Sequence, residues 1–171
     1  MKKNKNRITF VACDTSNIKQ VRKIIKYTKP YKIIPKFGLQ FFYSKNGRKF
    51  IENYKSEFFL DIKASDIPQT ISSAFSSLKD LKKIKYITVM ASVGLKGLKD
   101  FQKQAMKINS SIIVCGVTIL TSLNNKSLRE IGYKDKVEKL VLKQASIIKK
   151  AGLKGIVASG NEAKIIRKKF K

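Results

Sequence analysis

Three charged residues interrupt or follow an apolar run in the stretch FFLDIKASDIPQT, residues 58–70. Asp61 and Lys63 lie inside the run, and Asp66 lies just beyond it. Side chains alternate along a strand, so this spacing predicts that Asp61 and Lys63 project from the same face. Lys63 could instead pair with one acid to cap a helix, but desolvation of buried charges can exceed their Coulomb attraction. An ammonium flanked by two acids therefore predicts a catalytic array.

The rest of the chain alternates apolar runs with segments of helical periodicity. The first helix has a candidate cap in Ser16 or Asn17, and Pro68 suits the first turn of the third helix. This alternation predicts a parallel sheet with helices outside it, either doubly wound or wrapped into a barrel, in a single domain over residues 1–171. The predicted strands cover 8–14, 31–38, 56–63, 85–91, 110–120 and 152–159, and the predicted helices cover 16–28, 46–54, 67–82, 95–108, 134–151 and 161–170.

Polar residues at the C-terminal ends of the predicted strands favour the barrel. Each of them alone could be a strand-end turn or a helix cap. A (β/α)8 barrel assembles its active site from those ends, so together they indicate chemistry. No GxGxxG turn follows the first strand, which weakens the dinucleotide-binding alternative. The predicted class is α/β, an incomplete TIM (β/α)8 barrel with about six βα units. The strand-end residues are Asp14, Lys36, Asp61, Lys63, Thr118, Thr121 and Ser159.

Lysine dominates the composition, with 38 Lys and Arg against 11 Asp and Glu and a formal net charge of +27. The lysines are spread over every segment, and they accompany abundant isoleucine and asparagine. This distribution indicates a compositional bias and no specific nucleic-acid site. A polyanion partner stays open as the alternative, because such a charge favours salt-dependent binding to phosphorylated molecules.

The sequence predicts neither a metal site nor a membrane span. Cys13 and Cys115 sit in separate apolar runs, and the chain contains no histidine. The apolar run after the basic start is about six residues, too short for the core of a signal peptide. No window approaches the roughly 20 apolar residues of a membrane span. We therefore expect a soluble, cytoplasmic protein that uses no metal.

Several segments resemble one enzyme family in order and spacing. FFLDIKASDIPQT resembles the hallmark D-x-K-x-x-D-I-P-x-T segment of orotidine 5'-phosphate decarboxylases, which ends the third barrel strand. VACD, IIPKFG, VTILTS and GIVASGNEAKIIR are similar to the family's segments at strands one, two, five and six. The D-x-K-x-x-D pattern is shared with sugar-phosphate decarboxylases and synthases of the same superfamily. The continuation through Ile67, Pro68 and Thr70, together with VTILTS, favours the orotidylate branch.

The resemblance implies a cofactor-free decarboxylation of orotidine 5'-monophosphate to UMP and carbon dioxide, in pyrimidine biosynthesis. Asp61 would lie against the departing carboxylate, and Lys63 would stabilise the carbanion at C6 and protonate it. Asp66 would reach the active site of the partner subunit, which implies a homodimer with shared sites. The implied catalytic residues are Lys36, Asp61, Lys63 and Asp66, and the implied substrate-binding residues are Asp14 and Lys36 at the ribose, Ile67 and Thr70 beside them, and Thr121 and Ser122 at the pyrimidine.

The resemblance covers six of the eight strand–helix units that close such a barrel. The family's phosphate-binding segments follow the seventh and eighth strands, so we expect weak or absent turnover by this chain alone. Ser65, Gln69 and Met90 stand where the family usually has histidine, asparagine and histidine. Two other functions stay open at this point: a sugar-phosphate decarboxylase or synthase of the same superfamily, and a non-catalytic basic nucleic-acid-binding protein.

Overall fold

The computed structural model describes residues 7–170 and contains six strands that make one sheet in the order β1-β2-β3-β4-β5-β6. Helices separate successive strands, as the sequence predicts. Residues 1–6 and 171 of the predicted domain lie outside the described residues. The strands are β1 Phe10–Ala12, β2 Ile34–Gly38, β3 Phe58–Ala64, β4 Ile84–Met90, β5 Ile113–Val117 and β6 Gly155–Val157. The helices are α1 Ile18–Thr28, α2 Leu39–Phe42, α3 Gly47–Glu52, α4 Pro68–Ser76, α5 Gly94–Ile108, α6 Asn125–Glu130, α7 Val137–Lys150 and α8 Gly160–Lys169.

Local sequence signals explain where several helices begin. Asn17 caps α1, because its side-chain oxygen accepts a hydrogen bond from the Gln20 N–H at 3.2 Å. Pro68 is the first residue of α4, where its missing N–H is not needed. Ser159 and Glu162 form a capping box at the start of α8, in which each side chain bonds the other residue's backbone N–H.

Several predicted elements differ from the structure. The helix predicted over 67–82 ends at Ser76, and the strands predicted over 110–120 and 152–159 cover only Ile113–Val117 and Gly155–Val157. The strand predicted over 31–38 begins only at Ile34, because Lys29–Tyr31 form a 3₁₀ turn that ends at Lys32 with a φ of 54°. The helix predicted over 46–54 is shorter, and a separate helix, α2, precedes it. The loop predicted before residue 134 contains α6, whose cap Asn124 accepts hydrogen bonds from two backbone N–H groups.

The described residues fall into two compact units. The first contains the chain up to Ile62 together with Lys79–Ile87. Within it β2 pairs in parallel with β1 and with β3, and Gly38 lies opposite Asp61 in the second ladder. Aromatic rings fill the core beside β2, at centroid separations of 5.3 to 6.2 Å. These rings belong to Phe37, Phe41, Phe50, Tyr54 and Phe58.

The second unit contains Lys63–Leu78 and the chain from Thr88 onward. Within it β5 and β6 pair in parallel, and Gly116 gives Ile148 of α7 room to pack against β5. The Phe75 and Phe101 rings join α4 to α5 at a centroid separation of 4.3 Å. A further apolar cluster of this unit contains Ile119, Leu128, Leu140, Val141, Ala145 and Ile166.

Candidate active site

A lysine–carboxylate pair joins β2 and β3. The sequence prediction that Lys36 and Asp61 end their strands is wrong, because Lys36 is the third of the five residues of β2 and Asp61 is the fourth of the seven of β3. The Lys36 Nζ lies 3.0 Å from the Asp61 Oδ2, and the two side chains are only 23% and 12% exposed. Strand pairing holds them together, because Lys36 lies opposite Phe59 and Asp61 lies opposite Gly38 in the same ladder. Both residues belong to the predicted catalytic set, and a hydrogen bond between two ions is stronger and shorter than a neutral one.

Asp14 follows β1 and lies beside Gly38, the last residue of β2. A side-chain carbon added to Gly38 would meet the Asp14 Oδ1 at 2.7 Å, so the carboxylate of Asp14 covers the Cα of Gly38. Asp14 is exposed. The absence of a side chain at Gly38 is therefore what gives Asp14 its position.

The thiol of Cys13 reports on the charges around it. Burial raises the pKa of Cys13 to about 11, with a further increase from the Asp14 carboxylate and an opposing decrease from the Lys36 ammonium. Asp14 and Lys36 are thus both close enough to Cys13 to act on it, although the thiol is itself a packing residue and fully buried.

Lys63 has an unusual backbone. Its φ is 46°, in the left-handed region that side chains other than glycine rarely adopt. Its N–H donates a 2.8 Å hydrogen bond to the Oγ1 of Thr88, a fully buried residue of β4. The alternation argument assumes an extended backbone, so it does not apply at Lys63, and the shared face of Asp61 and Lys63 stays a prediction.

Asp66, Ile67 and Thr70 are all exposed where the chain enters α4. The Asp66 Oδ1 accepts a 2.7 Å hydrogen bond from the Ile67 N–H, which holds the carboxylate against the start of the helix. Ile67 is 66% exposed, a large exposure for an apolar side chain.

The polar residues that follow β5 and β6 divide into two groups. Thr121 and Ser122 are exposed in the turn before α6. Thr118 is fully buried, and its hydroxyl donates to the Val157 carbonyl oxygen at 3.4 Å. Ser159 caps α8. Thr118 and Ser159 therefore stabilise the fold. This is the alternative role, as part of a turn or a helix cap, that the sequence left open for each strand-end residue.

The sequence prediction did not include Thr88. Its hydroxyl is the one side-chain hydroxyl in the apolar run ITVM, residues 87–90, and it lies near the centre of β4. A lone polar group in a buried strand needs a hydrogen-bond partner, and this signal could have identified it.

Comparisons with known proteins agree on fold and family. The orotidine 5'-phosphate decarboxylase / HUMPS family matches residues 9–171. Orotidine 5'-phosphate decarboxylase from Carboxydothermus hydrogenoformans is 35% identical over 165 residues, covering 92% of this chain and 68% of that protein. The enzyme from Staphylococcus epidermidis is 34% identical over 168 residues, covering 95% and 71%. The crystal structure of orotidine 5'-phosphate decarboxylase from Lactobacillus acidophilus is similar with a TM-score of 0.84 and 28% identity, covering 95% of this chain and 76% of that one.

The structural similarity shows an α/β fold of the TIM-barrel type, with six strand–helix units present. The chain belongs to the orotidine 5'-phosphate decarboxylase / HUMPS family. It spans about 70% of the length of the two relatives described above. Among residues 7–170, no helix is long and apolar enough to cross a bilayer, and no group of three or more metal-ligating side chains is close enough to hold a metal ion.

Proposed function

We propose that this chain is an orotidine 5'-phosphate decarboxylase, which converts orotidine 5'-monophosphate to UMP and carbon dioxide. The observation that carries the proposal is the Lys36–Asp61 pair, two of the family's charged motif positions held 3.0 Å apart on adjacent strands. Family membership supports the reaction class. The two relatives that carry this name align with 92% and 95% of the chain.

In the proposed reaction, the bond between C6 of the pyrimidine and its carboxylate carbon breaks, and the electron pair stays on C6. The carboxylate leaves as carbon dioxide. Lys63 supplies the positive charge that the C6 carbanion needs and then transfers one ammonium proton to C6. Charge that develops only in the transition state is where a preorganised ion lowers the barrier, since the ground state gains less from it.

Asp61 would lie beside the reacting carboxylate of the substrate. The bonded ammonium of Lys36 fixes the orientation of Asp61 and offsets part of its charge. Two carboxylates near each other disfavour the bound substrate more than the transition state, because the substrate loses its negative group as carbon dioxide forms. The pair therefore supplies both orientation and selective destabilisation of the ground state.

Substrate recognition would use the residues that the sequence predicts to bind the ribose and the pyrimidine. Asp14 and Lys36 would bind the ribose hydroxyls, and the position of Asp14 over Gly38 supports this role. Thr121 and Ser122, which are both exposed, would face the pyrimidine, with Ser122 bonding its amide edge.

A homodimer belongs to the same proposal. Asp66, Ile67 and Thr70 are exposed in one chain although the family motif includes all three positions. An exposed isoleucine beside a fixed carboxylate suits a surface that a second copy covers. Asp66 and Thr70 would then complete the active site of the neighbouring subunit.

The test measures carbon dioxide release from carboxyl-labelled orotidine 5'-monophosphate in single-turnover reactions, with protein in excess so that slow turnover is detected. We expect Lys63→Ala to lower the rate more than about 10²-fold, because it removes both the charge and the proton donor. Lys139→Ala is the matched control: this lysine is 66% exposed on α7 and should leave the rate unchanged.

The affinity for UMP is measured by titration of the same variants, and this measurement does not depend on the rate of carbon dioxide release. Equal rates in Lys63→Ala and the parent chain would contradict the proposed role of Lys63. Turnover of a keto-sugar phosphate without affinity for UMP would assign the chain to the related sugar-phosphate enzymes. Nucleic-acid binding that survives Lys63→Ala and does not respond to UMP would favour the basic binding protein.

A further inference from the structure

We propose that Thr88 is a positioning residue for the decarboxylation: its hydroxyl holds the backbone of Lys63 in the left-handed conformation that aims the ammonium. This inference rests on the proposed function, because Lys63 is the residue on which that reaction depends. Lys63 and Thr88 belong to the same compact unit, so the contact is internal to it.

The conformation of Lys63 needs a local cause. Among the described residues, the non-glycine positions with positive φ are Lys32, at 54°, and Lys63, at 46°. Lys32 is exposed and ends a 3₁₀ turn, a place where left-handed residues are common. Lys63 is inside β3 and follows no helix. Strained residues persist only where the surroundings fix them, and they concentrate at functional sites.

The Thr88 hydroxyl is the contact that fixes the conformation. It accepts a hydrogen bond from the Lys63 N–H at 2.8 Å, within the usual range for an N–H···O hydrogen bond. Thr88 is fully buried, so water cannot replace the hydroxyl if it is removed. An N–H without an acceptor at this depth is unfavourable, and the backbone would turn to find another partner.

The consequence reaches the Lys63 side chain through its Cα. The direction of Cβ is set by the backbone, and an extended residue at this position would send the side chain along a different line. The ammonium lies several bonds further out, so a modest rotation at Cα displaces it by an ångström or more. Reactions that depend on alignment can lose about 10²-fold from a displacement of that size.

The alternative is that Thr88 only packs, as a β-branched residue in a buried strand. Two substitutions separate these roles. Thr88→Val keeps the shape and removes the acceptor, whereas Thr88→Ser keeps the acceptor and removes a methyl group. Packing predicts that valine is tolerated better than serine, and positioning predicts the reverse for the rate.

The experiment compares kcat, KM and backbone amide exchange in the full chain. We expect Thr88→Val to lower kcat at least about tenfold with KM changed less than about twofold, because binding groups elsewhere are intact. Thr88→Ser should restore most of kcat. Hydrogen exchange at the Lys63 amide should become faster in Thr88→Val and stay slow in Thr88→Ser.

Thr28→Val is the control for loss of a half-buried threonine hydroxyl, since Thr28 bonds a carbonyl of its own helix, α1. It should leave kcat and the Lys63 amide unchanged. Unchanged kcat and unchanged exchange in Thr88→Val would overturn the inference, and so would a kcat that serine does not restore. If the parent chain shows no decarboxylation but the Lys63 amide responds as described, the proposed function fails and the positioning contact stands.

Discussion

Two lysine–carboxylate clusters in this protein have similar distances and different settings. Lys36 and Asp61 are 25 positions apart, meet only because β2 and β3 pair, and are largely buried. Asp135 bonds Lys139 at 2.7 Å and also Lys143, both close in sequence, and these lysines are 66% and 58% exposed. The two lysines hold the pKa of Asp135 below its ordinary value through these hydrogen bonds.

The difference shows that a short ion-pair distance alone does not indicate function. The cluster on Asp135 is a local surface feature, and such pairs contribute little because water and salt screen them. The Lys36–Asp61 pair forms because β2 and β3 are neighbours, so the fold maintains it at a cost in desolvation. Burial of the lysine and its origin on a separate strand therefore distinguish the Lys36–Asp61 pair, which is the pair that we propose to act in the reaction.

The largest expected effect comes from removing the carboxylate charge of the Lys36–Asp61 pair. Asp61→Asn should lower carbon dioxide release by about 10²-fold or more, because it removes a fixed charge from beside the reacting carboxylate. It should also lower the free energy of unfolding by about 1–3 kcal/mol, since Lys36 loses the ion that bonds it in a largely buried place. Single-turnover rates and urea denaturation measure the two quantities.

Asp135→Asn is the matched substitution on the surface cluster. It should leave the rate and the urea midpoint close to those of the parent chain. Equal effects of the two substitutions would remove the distinction between the clusters.

A smaller effect is expected from Gly38→Ala. The added carbon would come within 2.7 Å of the Asp14 Oδ1, so the carboxylate must move away from its place beside the Lys36–Asp61 pair. We expect the affinity for UMP to fall by about tenfold, as misplacement of one ribose contact predicts. Stability should change little, because the φ of −88° at Gly38 suits alanine.

Gly160→Ala provides the control for the same chemical change. Apart from its chain neighbours and the nearby backbone of α8, no atom of the described residues lies within 4 Å of a carbon added there. Calorimetric titration with UMP should show parent-like affinity for Gly160→Ala. Unchanged affinity in Gly38→Ala would mean that Asp14 does not bind the nucleotide from this position.

The smallest effect concerns the titration of Cys13. Because its pKa is raised from 9.0 to about 11 in the folded chain, the thiol favours folding below pH 9, and this contribution is lost as the pH rises through about 11. Lys36→Ala removes an ammonium that lowers this pKa, so the titration should move to higher pH. Thiolate absorbance in a Cys115→Ala background measures it. Lys143→Ala should not move the titration, and a shift of equal size there would show that Cys13 does not sense the buried pair.

The sequence predicted the order of strands and helices, because buried side chains recur with the period of the element that contains them. The run FFLDIKA became β3, but Lys36 and Asp61, expected at strand ends, lie inside β2 and β3, because both strands continue beyond them. The helix α6 was missed, because its six residues contain too few apolar positions to show a helical period.

The site was predicted less completely than the fold. Residue types and spacing pointed to Asp61 and Lys63, but no sequence pattern signals that Lys63 adopts a left-handed conformation. That conformation depends on a hydroxyl 25 positions away, on another strand. Contacts of this kind are set by tertiary packing, which a single sequence does not display.

The aromatic cluster beside β2 has a consequence for how the protein is made. All five of its rings lie between Phe37 and Phe58, so it forms from a short stretch of the chain. Contacts between residues close in sequence form quickly, and a nascent chain folds from its N-terminal side as it leaves the ribosome. We expect this stretch to bury its rings while later strands are still being synthesised, which limits the time that a highly apolar surface is open to chaperones or to other nascent chains.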